Sequence, residues 1–193
     1  MTPAAPFYSR SMRMLHWLTA ALLLFAYPLA WSIELAQSAD VAARLVMLHR
    51  SVGVTVLLLT LIRLARRFSS TVPALPPDLP FWQRWAARGN TGLLYVLLLA
   101  QPSLGLAASW LHGDHIVLFG CIGLPAGTAN RALSHQLFQL HGAVALLLLA
   151  LIGLHAGAAF YHLIVRRDHV MSSMVGACLR PHRIGKATSE KIP

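Results

Sequence analysis

The chain has 193 residues, of which 56% are hydrophobic and only 11% charged, and its mean hydropathy is +0.60. So little polar surface cannot coat a water-soluble globule of this size, which favours a protein that is solvated by lipid. The formal net charge of +10 would suit a nucleic-acid partner. However, the basic residues flank apolar segments and can meet anionic lipid headgroups there, so we expect no nucleic-acid binding.

Four apolar runs are long enough to cross a bilayer, since a transmembrane helix needs about 20 residues at about 1.5 Å each. They predict spans at about residues 13–33, 43–66, 90–111 and 135–166. Residues 1–175 are therefore predicted to form one all-α membrane domain, a four-helix bundle, and residues 176–193 a short, partly disordered cytoplasmic tail. The first run is interpreted as a retained anchor because no small-residue cleavage site follows it.

The distribution of basic residues predicts the orientation in the membrane. Of the sixteen lysines and arginines, only Arg44, Arg50 and Arg131 lie in the first and third connections between spans. The positive-inside rule therefore places both termini in the cytoplasm. The second connection is predicted to be an extended loop that ends in a short interfacial helix around residues 81–88, and the third an ordered loop at the outer surface.

Four histidines lie within the predicted spans or at their edges: His16, His49, His141 and His155. Ionisable groups are costly in lipid and are functional candidates there, although a single membrane histidine often does no more than bond to a neighbouring helix. His141 and His155 are separated by fourteen residues, about 40° short of four helical turns. Both side chains therefore leave one face of the fourth helix, with a rise of about 21 Å between them.

The predicted topology pairs these histidines across helices. His16 is expected near the cytoplasmic face and His49 near the outer face, while the inward-running fourth span places His141 outside and His155 deeper. The pairs predicted are His49 with His141 and His16 with His155. The two pairs agree only roughly in depth. His16 and His49 are expected to differ in depth by about 16 Å, but His155 and His141 by about 21 Å, and helix tilt absorbs part of this difference. His162, on nearly the same face as His155, is the alternative inner ligand.

Two histidines without a thiolate or carboxylate make a poor zinc site, since zinc usually takes four ligands. Haem iron leaves two axial positions for the protein, and imidazoles from facing helices can fill both. The sequence therefore predicts two stacked b-type haems. Gly53 would let a macrocycle approach the second helix, although ordinary helix packing explains a glycine equally well. Arg13 and Arg63 could neutralise haem propionates, as could Arg50, but Arg13 and Arg63 also serve as topology signals.

The chain resembles the bacterial cytochrome b561 family over roughly residues 10–175, in the stretches "RMLHWLTAALLL", "LHRSVGVTVLLLTLIRLARR", "QPSLGL", "LFGCIGLP" and "LHGAVALLLLALIGLHAGAAFYH". This resemblance implies an inner-membrane, haem-dependent oxidoreductase in which the four histidines are axial ligands of two haems b. It also implies electron exchange with ubiquinone and, as in some members, oxidation of superoxide at the outer face. Under that interpretation Arg50 and Arg131 would attract the superoxide anion by electrostatic steering.

Three functions stay open at this level. The first is a free-standing oxidoreductase that takes electrons from superoxide or another small periplasmic donor and reduces ubiquinone. The second is a cytochrome b subunit of a hydrogenase or dehydrogenase complex, with an iron–sulfur protein as its redox partner. The third is a transporter or structural membrane protein whose histidines only bridge helices. The stretch "WLHGDH" departs from the family pattern, and the sequence assigns no role to His112, His115 or His162.

Overall fold

Four long helices make up most of the computed structural model, which describes residues 7–70, 72–125 and 127–176. They are α1 (Arg10–Glu34), α2 (Ala39–Phe68), α3 (Phe81–His112) and α4 (Arg131–Tyr161). A π-helical turn (His162–Arg166) continues α4. The first three predicted spans fall within α1, α2 and α3, and the fourth runs through α4 and the π-helical turn. All four helices are long and apolar enough to cross a membrane. The predicted all-α, multi-pass membrane bundle is therefore confirmed.

Polar side chains fix where three of these helices begin. The Ser9 hydroxyl accepts a hydrogen bond from the Met12 amide, and the Ser38 hydroxyl accepts one from the Val41 amide, both at 3.3 Å. The Asn130 side chain accepts a bond from the Leu133 amide at 3.1 Å. Such caps satisfy amides that have no partner within the helix.

The connections give the bundle two chemically different ends. We call one the hairpin end, because the α3–α4 connection there forms a small antiparallel hairpin of β1 (Val117–Leu118) and β2 (Ile122–Gly123). The α1–α2 connection lies at the same end. We call the other the arginine end, since it carries the start of α1, the α2–α3 connection and a short helix α5 (Val170–Val175) with most of the described arginines.

The structure differs from the sequence prediction in two connections. The predicted separate helix at residues 81–88 is instead the first part of α3, which runs unbroken to His112. Gly89 does not interrupt it, since a helical glycine costs only about 1 kcal/mol. The predicted outer loop contains the hairpin, where Val117 pairs with Gly123 and Leu118 with Ile122.

The tail prediction is only partly within reach of the structure. The short helix α5 ends directly before this tail, at Val175. Residues 177–193 lie outside the described residues.

The bundle has a small apolar core, and most of its large apolar side chains lie on the outer surface. The buried side chains that contact one another come from all four long helices: Leu29, Val52, Val56, Leu97, Leu98 and Leu148. Large apolar side chains on the outward faces are open, such as Leu24 at 76% and Leu146 at 68% exposure. This distribution suits a bundle surrounded by hydrocarbon, where apolar side chains face lipid rather than water.

Candidate functional site

His49 on α2 and His141 on α4 face each other near the hairpin end. Their ring centroids are 6.3 Å apart and their planes are inclined by 83°. Both rings line a cavity of about 480 Å³ between the helices, a volume within the range of cofactor and ligand sites. We call His49 and His141 the hairpin-end pair.

The main chain of helix α3 fixes the orientation of the His141 ring. Nδ1 of His141 lies 2.9 Å from the main-chain carbonyl of Gln101, so this nitrogen donates and Nε2 is left without a proton in the neutral ring. The ring lies so close to α3 that a Cβ atom at Gly105 would be 2.8 Å from its Cε1. A histidine that gives its other N–H to a carbonyl is the usual arrangement for metal-binding imidazoles.

The side chain of Gln101 braces the same contact. Its amide nitrogen donates to the His141 carbonyl at 3.0 Å and lies 3.2 Å from Nε2 of the ring. Gln101 therefore contacts both the main chain and the ring of His141, and its contact with Nε2 would have to give way if a metal bound that nitrogen. Sequence analysis noted "QPSLGL" only as part of a resemblance and did not assign this residue a role.

His16 on α1 and His155 on α4 form the second pair, which we call the arginine-end pair. Their ring centroids are 6.2 Å apart and their planes are inclined by 61°. Nη2 of Arg63 lies 3.2 Å from Nδ1 of His16, and a guanidinium group can only donate. If Nε2 of His16 is to bind a metal, Nδ1 has to carry the proton of the neutral ring. Nδ1 can then no longer accept a bond from Arg63, so Arg63 would have to release it.

Two arginines beside the arginine-end pair have donors to spare. The Nε atoms of Arg13 and Arg63 are buried, and neither has a hydrogen-bond partner among the described residues. Nη1 of Arg13 donates to the Val175 carbonyl at 3.3 Å. Arg63 and Arg67 both lie over the Tyr95 ring, at 5.5 and 5.9 Å from its centroid. Buried guanidinium donors without a partner favour binding of an anionic oxygen group such as a carboxylate.

Both pairs have the spacing that a shared metal ion requires. An imidazole nitrogen bonds a transition metal at about 2.0 Å, and the ring centre lies roughly 1.1 Å behind that nitrogen. Two imidazoles that shared one metal ion would therefore have ring centroids about 6.2 Å apart at most. The observed values are 6.2 and 6.3 Å. In the described part of the chain no cluster of three or more histidine, cysteine or acidic side chains could hold a metal, so the residues present fit haem rather than a bare ion.

A polar network borders the hairpin-end cavity. Arg50, which lines the cavity, donates through Nε to the Ser109 hydroxyl at 3.1 Å and forms an ion pair with Asp114. Nδ1 of His112 lies 2.7 Å from the same carboxyl group. Burial alone would raise the pKa of Asp114, but the bonds to His112 and Arg50 outweigh it and hold this pKa below its usual value. Asp114 therefore stays ionised and holds Arg50 in place.

The other candidate residues have separate positions. Gly53 lines the cavity, and a Cβ atom there would lie at an ordinary 3.7 Å from Pro102. Arg131 is the exposed first residue of α4, and His115 is exposed in the α3–α4 connection. His155, and not His162, faces His16. His162 instead contacts Asp168, with Nδ1 at 2.6 Å from the carboxylate.

Sequence reasoning missed the residues that hold the candidate ligands and arginines: Gln101, Tyr95, Asp114 and Asp168. A usable signal existed for the two aspartates. The whole chain has only six acidic residues, so each one close to a conspicuous arginine or histidine was a candidate partner. Gln101 and Tyr95 give no comparable signal because their partners lie on other helices.

Four membrane-crossing helices that hold two facing histidine pairs define a membrane cytochrome b, and comparison with known proteins agrees with this class. The model for the prokaryotic cytochrome b561 family matches residues 8–177. The chain belongs to that family, and binding of haem b follows from the membership.

Several similar proteins match this chain over almost their whole length. The chain is 33% identical to cytochrome b562 of Cereibacter sphaeroides over 183 residues, which cover 88% of this chain and 96% of that protein. It is 31% identical to the probable superoxide oxidase CybB of Yersinia pestis over 164 residues, 83% and 91% of the two chains. It is 27% identical to cytochrome b561 homolog 1 of Escherichia coli K12 over 172 residues, 87% and 96% of the two. An electron-transfer role in a membrane is therefore established for this chain.

Proposed function

We propose that this protein is a di-haem cytochrome b of the bacterial inner membrane that oxidises superoxide at its outer face and reduces ubiquinone. The observation that carries the proposal is the presence of two histidine pairs at different levels of the bundle, with one member of each on the continuous helix α4. In the proposed orientation the hairpin end faces the periplasm, and both termini lie in the cytoplasm, as the arginine distribution favours.

Each pair would hold one haem b. His49 and His141 would be the axial ligands at the hairpin end, and His16 and His155 those at the arginine end. When bound, the haem iron supplies a one-electron carrier. With one histidine from each helix of a pair bound to it, the iron would keep the same protein ligands in both oxidation states, so little rearrangement would accompany electron transfer. Gly53 would leave room for the macrocycle beside α2, since its lack of a side chain widens the cavity.

The arginine end would neutralise the carboxylates of its haem. Support comes from the buried, unpartnered Nε atoms of Arg13 and Arg63, which need an acceptor to offset their loss of hydration. Arg63 would exchange its bond to His16 for one to a propionate, which would free the imidazole for the iron.

The hairpin end would attract the electron donor. Superoxide is a small anion, and positive side chains around a cavity raise the local concentration of anions. Arg50 lines the cavity, and the exposed Arg131 begins α4 at the same end. A named relative, the probable superoxide oxidase of Yersinia pestis, supports this choice of donor.

Stopped-flow mixing of the oxidised protein with superoxide tests the proposal. We expect rapid reduction of the haem absorption bands, followed by reoxidation when a short-chain ubiquinone is present. Haem that superoxide does not reduce would contradict the proposed donor. Purification with a larger iron–sulfur protein would then favour a subunit of a multi-subunit dehydrogenase or hydrogenase.

A further inference from the structure

The short helix α5 connects the two helices that carry the arginine-end pair. His16 lies on α1 and His155 on α4, yet α1 packs mainly on α2, and α4 mainly on α3. The Tyr27 hydroxyl of α1 donates to the Ala145 carbonyl of α4 at 2.8 Å, but this bond lies one turn from His141 and so serves the hairpin end. At the arginine end, the chain that follows α4 turns back and brings α5 against the start of α1.

The last turn of α5 is bonded to α1 and to the residues just before it. Three donors bind three successive carbonyls: the Tyr8 amide that of Ser173 at 3.2 Å, Nε1 of Trp17 that of Met174 at 3.3 Å, and Nη1 of Arg13 that of Val175 at 3.3 Å. The Gly176 amide binds the carbonyl of Ser172 at 2.8 Å. The last four carbonyls of a helix have no partner within it, so α1 supplies most of the bonds that end α5.

Two of these donors lie beside the arginine-end pair. The ring centroid of Trp17 is 5.2 Å from that of His16, and the two planes are inclined by 73°. Arg13 precedes His16 by three residues and therefore lies on the same side of α1, about one turn nearer the end of the bundle. The helix α5 thus holds the aromatic side chain that packs on a candidate ligand and the guanidinium that would meet a haem carboxylate.

Gly176 makes the contact between α5 and Arg13 possible. Its φ is 101°, a positive value that glycine adopts far more readily than residues with a side chain. It is buried, and a Cβ atom at this position would overlap Nη1 of Arg13. Only a glycine therefore lets the chain leave α5 in this direction while the guanidinium binds the end of the helix.

The start of α5 is anchored to the end of α4. The Val170 amide donates to Oδ1 of Asp168 at 3.0 Å. The other carboxylate oxygen accepts a bond from Nε of Arg166 at 3.2 Å and lies 2.6 Å from Nδ1 of His162. Arg166 also forms an ion pair with Asp78 of the α2–α3 connection. Since one end of α5 is fixed to α4 and the other to α1, the helix limits how far these two helices can separate.

We propose that α5 ties α1 to α4 at the arginine end and thereby retains the haem there, with Trp17 and Gly176 as positioning residues. This inference rests on the proposed function, which places a haem between His16 and His155. Coupling between two binding events is reciprocal. Haem therefore stabilises the docked position of α5 to the same extent as docked α5 stabilises the bound haem.

The test measures how fast haem leaves each end of the loaded protein. Transfer to an excess of apomyoglobin is followed by absorbance in two backgrounds, His141→Ala with only the arginine-end haem and His16→Ala with only the hairpin-end haem. Gly176→Ala is expected to accelerate release from the arginine end roughly tenfold, since it displaces a charged donor. Trp17→Phe keeps the ring and loses one neutral bond, so roughly threefold is expected. Release from the hairpin end should not change.

Two matched controls separate this effect from the substitutions themselves. Gly120→Ala places the same methyl group on another glycine with positive φ, at 74°, where nothing described lies within 4 Å. Trp82→Phe alters an exposed tryptophan at the arginine end. Both are expected to release the arginine-end haem at the rate of the unsubstituted protein.

Hydrogen exchange gives a second measurement that does not depend on haem transfer. Amides of residues 170–176 are expected to exchange more slowly in the wild type than in His155→Ala, which lacks the arginine-end haem. Equal exchange in the two proteins would overturn the proposed coupling. Gly176→Ala that keeps its arginine-end haem as long as the parent would also overturn it, as would equal acceleration at both ends. Wild-type protein that binds only one haem would instead refute the proposed function itself.

Discussion

At the scale of single residues, the structure changes what Arg50 is expected to do. The sequence presents Arg50 as an isolated positive charge at the outer edge of a span. In the structure its guanidinium is paired with Asp114 and bonded to Ser109. The carboxylate holds the arginine beside the cavity and at the same time cancels part of its attraction for anions. The two effects can be separated by removing the negative charge and keeping the shape of the side chain.

Asp114→Asn is expected to raise the rate of haem reduction by superoxide roughly two- to fivefold at low salt, since one opposing charge beside the cavity-lining Arg50 is lost. Stopped-flow traces at several salt concentrations measure this. The gain should shrink at high salt, where charges are screened within a few ångströms. Asp40→Asn, the same charge change on an exposed residue of α2, should have little effect. An unchanged or slower rate in Asp114→Asn with full haem content would argue against steering.

Arg63 allows a second prediction at this scale. Arg63→Met is expected to lower the reduction potential of the haem proposed at the arginine end, because a nearby positive charge favours the reduced iron. At about 10 Å and an effective dielectric constant of about 20, one charge is worth roughly 1.7 kcal/mol. This corresponds to several tens of millivolts, since about 59 mV is a tenfold change for one electron. Redox titration measures it, with the exposed Arg88→Met as control. A shift confined to the other haem would contradict the assignment of Arg63.

At the scale of secondary-structure elements, the packing of α3 on α4 decides whether the hairpin-end site can form. The His141 ring occupies the space that a side chain at Gly105 would fill. The carbonyl and side chain of Gln101, one turn earlier, orient the same ring. The segment from Gln101 to Gly105 therefore holds the His141 imidazole in place. Adding even one methyl group at Gly105 should disturb this contact.

Gly105→Ala is expected to displace His141 and to remove most of the haem at the hairpin end, because the new Cβ atom would lie 2.8 Å from Cε1 of the ring. The haem-to-protein ratio should fall toward one, as measured by pyridine haemochrome absorbance. Gly92→Ala, on the same helix with nothing described within 4 Å, should keep full haem content. Equal haem content in both variants would show that the close approach of α3 is unimportant.

At the scale of the whole molecule, the two pairs lie about 21 Å apart along α4, so each end can be inactivated separately. His141→Ala is expected to remove the hairpin-end haem and to abolish fast reduction by superoxide. His16→Ala is expected to keep that step but to prevent reoxidation by ubiquinone. Absorbance spectra count the haems, and stopped-flow traces assign the steps. If the alanine variants of all four histidines retained two haems, the ligand assignment would be wrong.

The bundle and its spans could be predicted from the sequence because hydrocarbon imposes a simple requirement. Every backbone group must be bonded within the span, so a long apolar run becomes a helix whatever surrounds it. The histidine pairing could be inferred for a related reason. The helical repeat fixes the angle and rise between His141 and His155, and the arginines indicate the direction in which each helix runs. Contact of each predicted pair in the structure follows from these two regularities.

Tertiary structure alone decided the partners of the charged and titratable groups. Asp114 and Arg50 are separated by 64 positions, and Gln101 and His141 by 40, so no local periodicity connects them. The contact of His162 with Asp168 is short in sequence but needs a π-helical turn and a left-handed Arg167, which neither hydropathy nor propensity predicts. The sequence by itself thus determined how many helices cross the membrane and which histidines meet. Only packing in three dimensions decided which groups hold those histidines and which carboxylates reach the arginines, because these contacts depend on side chains that approach from different helices and loops.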